Sequence, residues 1–240
     1  MKILSIGNSF SQDAQRYLHG IAKQESVDIY SANLIIGGCS LETHCINISE
    51  DNSDYEIQIN GNDSGELISI KKALLSDCWD YITLQQVSHL SGDYSTYNPY
   101  IKELFNYVKS LCPTAKILIH QTWAYEDKSE RLLTLTPFKS ADEMFFAIQT
   151  AYNRCLKELP FDGLIPSGMA MMQAIKLGIE KAHRDTFHAS LGAGRYLLGL
   201  TWYKYFTGKE ISQNSFDNLD EAITNEQRSI IIKAVNSVFK

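Results

Sequence analysis

Lys2-Ile3-Leu4-Ser5-Ile6-Gly7-Asn8-Ser9-Phe10-Ser11 is a short apolar run that ends in glycine and passes at once into small polar residues. Followed by a helical pattern over 12–24, it reads as a buried strand feeding a helix. The same alternation recurs along the chain. Strands are expected at 2–7, about 28–36, 81–86, 116–121 and 163–166, and helices at 12–24, 97–111, 141–159, 167–181, 191–206 and about 225–239. The near-continuous apolar character of ILSI, NLII and KILIH is that of parallel strands covered on both faces. The fold class is therefore α/β with a parallel sheet.

Stop signals punctuate this pattern. Pro113 follows Leu111-Cys112 and Gly208 follows Phe206-Thr207, and Thr224 with Gln227 three residues on opens the last helix as a capping box. The segment 46–70 departs from the alternation. YEIQIN and ELISI flank Asn60-Gly61-Asn62-Asp63-Ser64-Gly65, the signature of a hairpin inserted after the second strand. Residues 122–140 read as a long polar loop. Neither a repeat nor a linker interrupts the chain, so residues 1–240 are expected to form one domain.

At 240 residues, 44% hydrophobic and 21% charged, the chain can bury a full core, which excludes disorder and a disulfide-stapled miniature. Twenty-eight acidic against 22 basic residues leave a net charge of -6, so no overall field attracts nucleic acid or an anionic membrane, and neither is expected as a partner. The five cysteines, Cys39, Cys45, Cys78, Cys112 and Cys155, form no C-x-x-C pair and are expected reduced and mostly buried. The apolar run after Met1 is too short for a signal peptide, and 18 consecutive apolar residues occur nowhere. A cytoplasmic location is the default expectation, with secretion or the periplasm the alternative if a leader has been removed.

Ligands in open α/β sheets bind beyond the carboxyl ends of the strands. There the sequence places Gly7 to Ser11, Gly37-Gly38-Cys39-Ser40, Gln85-Gln86-Val87-Ser88-His89, and His120-Gln121-Thr122-Trp123-Ala124-Tyr125, with His183 to His188 further on. Ser9, at a strand-to-helix turn, can either cap the helix or project its hydroxyl. A nucleophilic serine needs a base and an orienting acid. Asp185 and His188 supply a pair in which the carboxylate can take the His188 Nδ1 proton and leave Nε2 for Ser9.

Taken in chain order, these pieces resemble the SGNH or GDSL-like hydrolase superfamily over nearly the whole chain, as a divergent branch of it. The first family block, G-D-S, is matched by Gly7-Asn8-Ser9 with Asn in place of Asp, and the last, D-x-x-H, by Asp185-Thr186-Phe187-His188. The resemblance implies a three-layer α/β/α sandwich with a central five-stranded parallel sheet in the flavodoxin-like order 2-1-3-4-5. It implies Ser9 as nucleophile, His188 as base and Asp185 as orienting acid. The oxyanion hole would draw on the Ser9 N–H and on the Gly38 N–H, with Gly37 as the alternative. The third block departs from the family: where G-x-N-D is usual, this chain has Leu84-Gln85-Gln86-Val87-Ser88-His89, so Gln85 or Gln86 is expected to offer a carboxamide in place of the asparagine. The implied reaction is acyl transfer through a covalent serine ester, releasing a short acyl group, acetyl first, from a small-molecule ester such as an acylated sugar.

Trp123, Tyr125 and His89 are expected at the rim of that site, where flat side chains can stack on a sugar or wall an acyl pocket. His120 reads as a satisfied buried histidine, His183 as an exposed helix-end residue, and His19 and His44 as surface residues. No H-x-x-x-H, H-E-x-x-H or nucleotide fingerprint occurs, so neither a metal nor another cofactor is expected. Two alternatives stay open at this point: a catalytically silent glycan-binding module, suggested by the missing third block, and a flavodoxin-like phosphate or flavin binder, suggested by fold class alone.

Overall fold

The computed structural model describes residues 1–239. The apolar runs become β1 (Lys2–Gly7), β2 (Tyr30–Ile35), β5 (Tyr81–Leu84), β6 (Lys116–His120) and β7 (Gly163–Ile165), all parallel and adjacent in the order β2-β1-β5-β6-β7. This is the expected 2-1-3-4-5 arrangement. The sheet has seven strands rather than five, because the inserted hairpin, β3 (Tyr55–Ile59) and β4 (Asn62–Ile68), adds itself antiparallel to the outer edge of β2. An unpaired β2 edge would leave its backbone N–H and C=O groups open to other chains. The new edge, β4, is exposed over most of its length and carries Asp63, Glu66 and a glycine, which blunt it.

The hairpin turns on Asn60 and Gly61, both at positive φ (52° and 77°), the backbone of a two-residue turn that matches strand twist. A side chain at Gly61 would also meet the Arg16 carbonyl oxygen at 2.3 Å. Arg16 holds the turn by donating to Gly61 O at 2.8 Å and Asn62 Oδ1 at 2.9 Å.

Helices cover both faces. On one side lie α1 (Ser9–Gln15), α2 (Leu18–Gln24), α8 (Ser167–Lys176), α9 (Ala193–Thr207) and α10 (Asn225–Ser237). The other carries α3 (Leu41–Glu50), α4 (Ile70–Leu75), α5 (Tyr100–Leu111) and α7 (Ala141–Glu158). Helix α5 shows why these segments fold as they do. Its Ile101, Leu104, Phe105 and Val108 recur at helical spacing and are buried, each contributing about 1.5–3 kcal/mol. Helix α9 is buried on nearly every side because α1, α2, α8 and α10 all pack on it.

Three local expectations change. The helix expected over 12–24 is two, broken at Tyr17, whose hydroxyl donates to Leu191 O at 2.5 Å and accepts from Asp220 N–H at 2.7 Å. Residues 46–50 belong to α3, capped by Ser40, so the hairpin is shorter than 46–70. The polar loop 122–140 contains a short helix, α6 (Glu130–Leu135), capped by Ser129.

Candidate active site

Strand β1 delivers the chain to the carboxyl edge of the sheet, and Asn8 there takes the capping task. Its Oδ1 accepts from Phe10 N–H at 3.0 Å, while Ser11 Oγ accepts from Asn8 N–H at 3.2 Å. With the cap assigned to Asn8, the Ser9 hydroxyl is left to project. Gly7 allows this tight turn, since a Cβ there would stand 2.3 Å from Ser11 Oγ.

Ser9 Oγ lies 2.8 Å from His188 Nε2, and His188 Nδ1 lies 2.7 Å from Asp185 Oδ2. The ionised carboxylate only accepts, so Nδ1 carries the proton and Nε2 is the acceptor for the Ser9 hydroxyl. Burial pushes the Asp185 carboxyl up, but hydrogen bonds from the His188 ring and backbone N–H, with the charges of His188 and Arg184, outweigh it and hold the group below its usual value. The structure thus brings the three expected residues into one line.

The loop that carries Asp185 and His188 is a tight reversal. Arg184 N–H donates to His188 O at 3.0 Å, Ser190 N–H to Ala182 O at 2.9 Å, and His183 pairs with Ala189 as an antiparallel bridge. Thr186, at its tip, sits at φ 73°, a left-handed conformation that costs a β-branched residue energy and turns Asp185 and His188 toward each other.

A buried ion cluster fastens this loop to the helix that bears Ser9. Asp13, fully buried on α1, accepts from Arg184 at 2.9 Å, Arg195 Nε at 2.8 Å and Ala189 N–H at 3.1 Å. Both flanks of the Asp185–His188 loop therefore hang on one carboxylate a helical turn from Ser9. Unpaired, that charge would be very costly inside the protein.

In front of the line opens a cavity of about 470 Å³. Ser9, Gly37, Gly38, Tyr125 and His89 line it, so two of the three expected rim residues are present. Gly38 stands at φ 66° with open space around it, and neither its N–H nor that of Ser9 donates to an acceptor among the described residues. Trp123 is a correction. It is fully buried, stacks on Phe10 at 4.0 Å and donates through Nε1 to Phe187 O at 2.8 Å, so it supports the floor and meets no ligand.

Gln85 and Gln86 also depart from expectation. Both are buried and neither lines the cavity. Gln86 spends its carboxamide on Thr96 O and Oγ1 (both 3.1 Å) and accepts from Leu41 N–H (3.0 Å) and Val87 N–H (2.9 Å). Gln85 accepts from His120 Nδ1–H at 2.6 Å and donates to Asn8 Oδ1 at 2.8 Å. The added methylene, relative to asparagine, lets it reach beneath Ser9 to the capping residue. Its hydrogen bonds hold the residue before Ser9 and leave no amide aimed at a developing oxyanion.

The other histidines sort by burial. His120 is fully enclosed as expected, and burial drives it down to about 3. His44, expected on the surface, is fully enclosed against Tyr55 and Cys39 and is likewise pushed down to about 3. His183 is mostly enclosed, with Nε2–H donating to Ala124 O at 3.1 Å, and burial lowers it to about 4. Sequence reasoning missed Asp13 and Arg131. A carboxylate four residues after the serine and a cation in an unremarkable polar loop were their only signals.

A family profile described as a domain of unknown function, DUF4886, matches residues 2–236. The crystal structure of a DUF4886 family protein from Bacteroides uniformis is 32% identical with a TM-score of 0.92, covering 100% of this chain and 94% of that one. A candidate SGNH hydrolase from Slackia heliotrinireducens is 20% identical, TM-score 0.61, over 86% of this chain and 98% of its own. An acetyl xylan esterase is 11% identical, TM-score 0.54, over 85% of this chain and 99% of its own. Among curated proteins no sequence match is found. The last two likenesses are those of a shared fold, the SGNH-hydrolase α/β/α sandwich.

Proposed function

The chain belongs to the DUF4886 family, a divergent branch built on the SGNH-hydrolase fold, and from that premise we propose that it is a serine ester hydrolase. Its substrate is a small polar ester, and the group it removes is short, acetyl in the first instance. The observation that carries this reading is the line Ser9–His188–Asp185 facing an open cavity. The fold shared with an acetyl xylan esterase supports acetyl as the first acyl group to try, and an acylated sugar as the first substrate.

In this mechanism His188 Nε2 takes the Ser9 proton as Oγ attacks the ester carbonyl. Asp185 keeps the ring in the right tautomer and stabilises the imidazolium that forms. The Ser9 and Gly38 N–H groups receive the oxyanion. His188 then gives its proton to the departing alcohol, and water repeats the cycle on the serine ester. Gln85 acts by holding Asn8, and so Ser9, in place.

The test is labelling with a fluorophosphonate probe alongside hydrolysis of p-nitrophenyl acetate. Wild type is expected to label on Ser9 and turn over the ester, and Ser9→Ala to do neither. A wild type that neither labels nor turns over overturns the reading, and glycan binding without turnover would then favour a silent binding module.

A further inference from the structure

The protein has six arginines. Four are ion-paired: Arg16 with Asp220, Arg154 with Glu158, Arg184 with Asp13, and Arg195 with Asp13 and Asp220. Arg228 is held by Tyr196 Oη and the carbonyls of Asn214 and Phe216. Arg131 alone has no carboxylate or carbonyl partner among the described residues, although Asp185 and Glu130 line the adjoining recess. It stands in the wall of the cavity that holds Ser9 and His188.

Its position is nonetheless fixed. The guanidinium lies 3.8 Å from the centre of the Phe187 ring, and that ring is 3.7 Å from the His188 imidazole. A cation on an aromatic face keeps its in-plane N–H fork open to another group, here beside the Tyr125 hydroxyl in the same wall. The fork fits a carboxylate with two parallel hydrogen bonds, and a weakly hydrated guanidinium gives up water for such a partner more readily than lysine does. Burial and the charge of Arg131 together push His89, in the same wall, below its ordinary value.

Resting on the esterase reading above, we propose that Arg131 is a specificity-determining residue and that the substrate is an acyl ester whose alcohol half carries a carboxylate, bound by the Arg131 fork while Ser9 attacks the ester. The net charge of -6 keeps polyanions away from the protein as a whole, whereas one fixed cation inside the cleft selects a singly charged small molecule. An acetylated sugar acid is one compound of this class. The step itself is ordinary hydrolysis: water adds, the ester C–O bond breaks, and acetate and the carboxylate-bearing alcohol leave.

Two pairs of substrates isolate the charge: 3- and 4-acetoxybenzoate, and their uncharged counterparts 3- and 4-acetoxybenzamide. Wild type should favour one of the acids over its amide by about 10- to 100-fold in kcat/KM, the range for a charge-assisted pair. Added salt should shrink that preference. Arg131→Gln should abolish it by lowering the acid rate far more than the amide rate, and Arg131→Lys should keep part of it. Equal rates on acid and amide in wild type overturn the proposal with the esterase reading intact. So does an equal loss on both in Arg131→Gln, which would make Arg131 a stabiliser of the reaction itself. If none of the four is hydrolysed and the fluorophosphonate leaves Ser9 unlabelled, the esterase reading falls and this proposal with it.

Discussion

Two serine–histidine lines run through this molecule, and they are nearly the same shape. In the outer one, His188 bridges Ser9 at 2.8 Å and Asp185 at 2.7 Å. In the inner one, His120 bridges Ser167 at 2.9 Å and Gln85 at 2.6 Å. The inner line continues in one direction only. Trp202 Nε1–H donates to Ser167 Oγ, Ser167 to His120 Nε2, His120 Nδ1–H to Gln85, Gln85 to Asn8, and Asn8 Nδ2–H to Cys39 O. Every hydrogen bond there has its donor assigned, and His120 is fully buried. The outer line ends in a carboxylate and opens on a cavity. Geometry alone therefore does not make a nucleophile; an ionised acceptor and an approach for substrate do, and the inner line has neither.

The contrast is broken most sharply by deleting each serine. Ser9→Ala should lower ester hydrolysis by about 10⁴-fold or more. Ser167→Ala should leave probe labelling intact and cost about 1–3 kcal/mol of stability, because Trp202 Nε1–H and His120 lose a buried partner. Labelling that survives in the first variant and vanishes in the second would invert the assignment.

Asp185→Asn makes the outer line a chemical copy of the inner one. Its carboxamide can hold the ring but cannot stabilise an imidazolium, and kcat should fall by about 10³- to 10⁴-fold with the fold unchanged. Retention of more than a tenth of the wild-type rate would show that the carboxylate is dispensable.

A smaller effect is expected from Gln85→Leu, which cuts the inner line from Asn8. Activity should drop by about tenfold through kcat rather than KM, with about 1–3 kcal/mol lost in denaturant unfolding. A rise in KM alone would instead mean that Gln85 meets substrate.

A test that spares the outer line's residues is acid. His120 and His44 are held down to about 3 and His183 to about 4, all by burial, so they stay neutral in the folded chain well below their ordinary value of 6.5. The unfolded chain binds these protons from about pH 6.5 downward, so stability falls as pH drops through that window until the folded-state values are reached. Unfolding near pH 5 should take up about three protons from these groups, readable from the pH dependence of Tm.

The outer line was legible in the sequence chiefly because two short polar reversals resemble the first and last blocks of the SGNH family; position alone left Ser9 as readily a helix cap. Gly7-Asn8-Ser9 and Asp185 to His188 are those places, and the five parallel strands announce themselves by continuous apolar runs. The inner line was not legible. Gln85 was read as an oxyanion donor because its chemistry allows it, and only packing decides that the carboxamide points down to Asn8. Trp123 fell the same way, since a tryptophan at a strand end suits a rim or a floor equally until Phe10 stacks on it. Short helices such as α4 and α6 were hidden because they span too few turns to show a period. Asp13 and Arg131 gave no pattern, because a charge's partner, or its lack of one, is a fact of three dimensions.

The Asp13 cluster has a further consequence, in time rather than in space. Its arginine partners lie 171 and 182 residues further along the chain, so the helix with Ser9 and the loop with His188 are joined only once nearly four-fifths of the sequence exists. During synthesis Ser9 therefore emerges long before Asp185 and His188. On refolding, reactivity toward the probe should return together with tertiary structure and not before it, which makes labelling of Ser9 a sensor of whole-chain assembly.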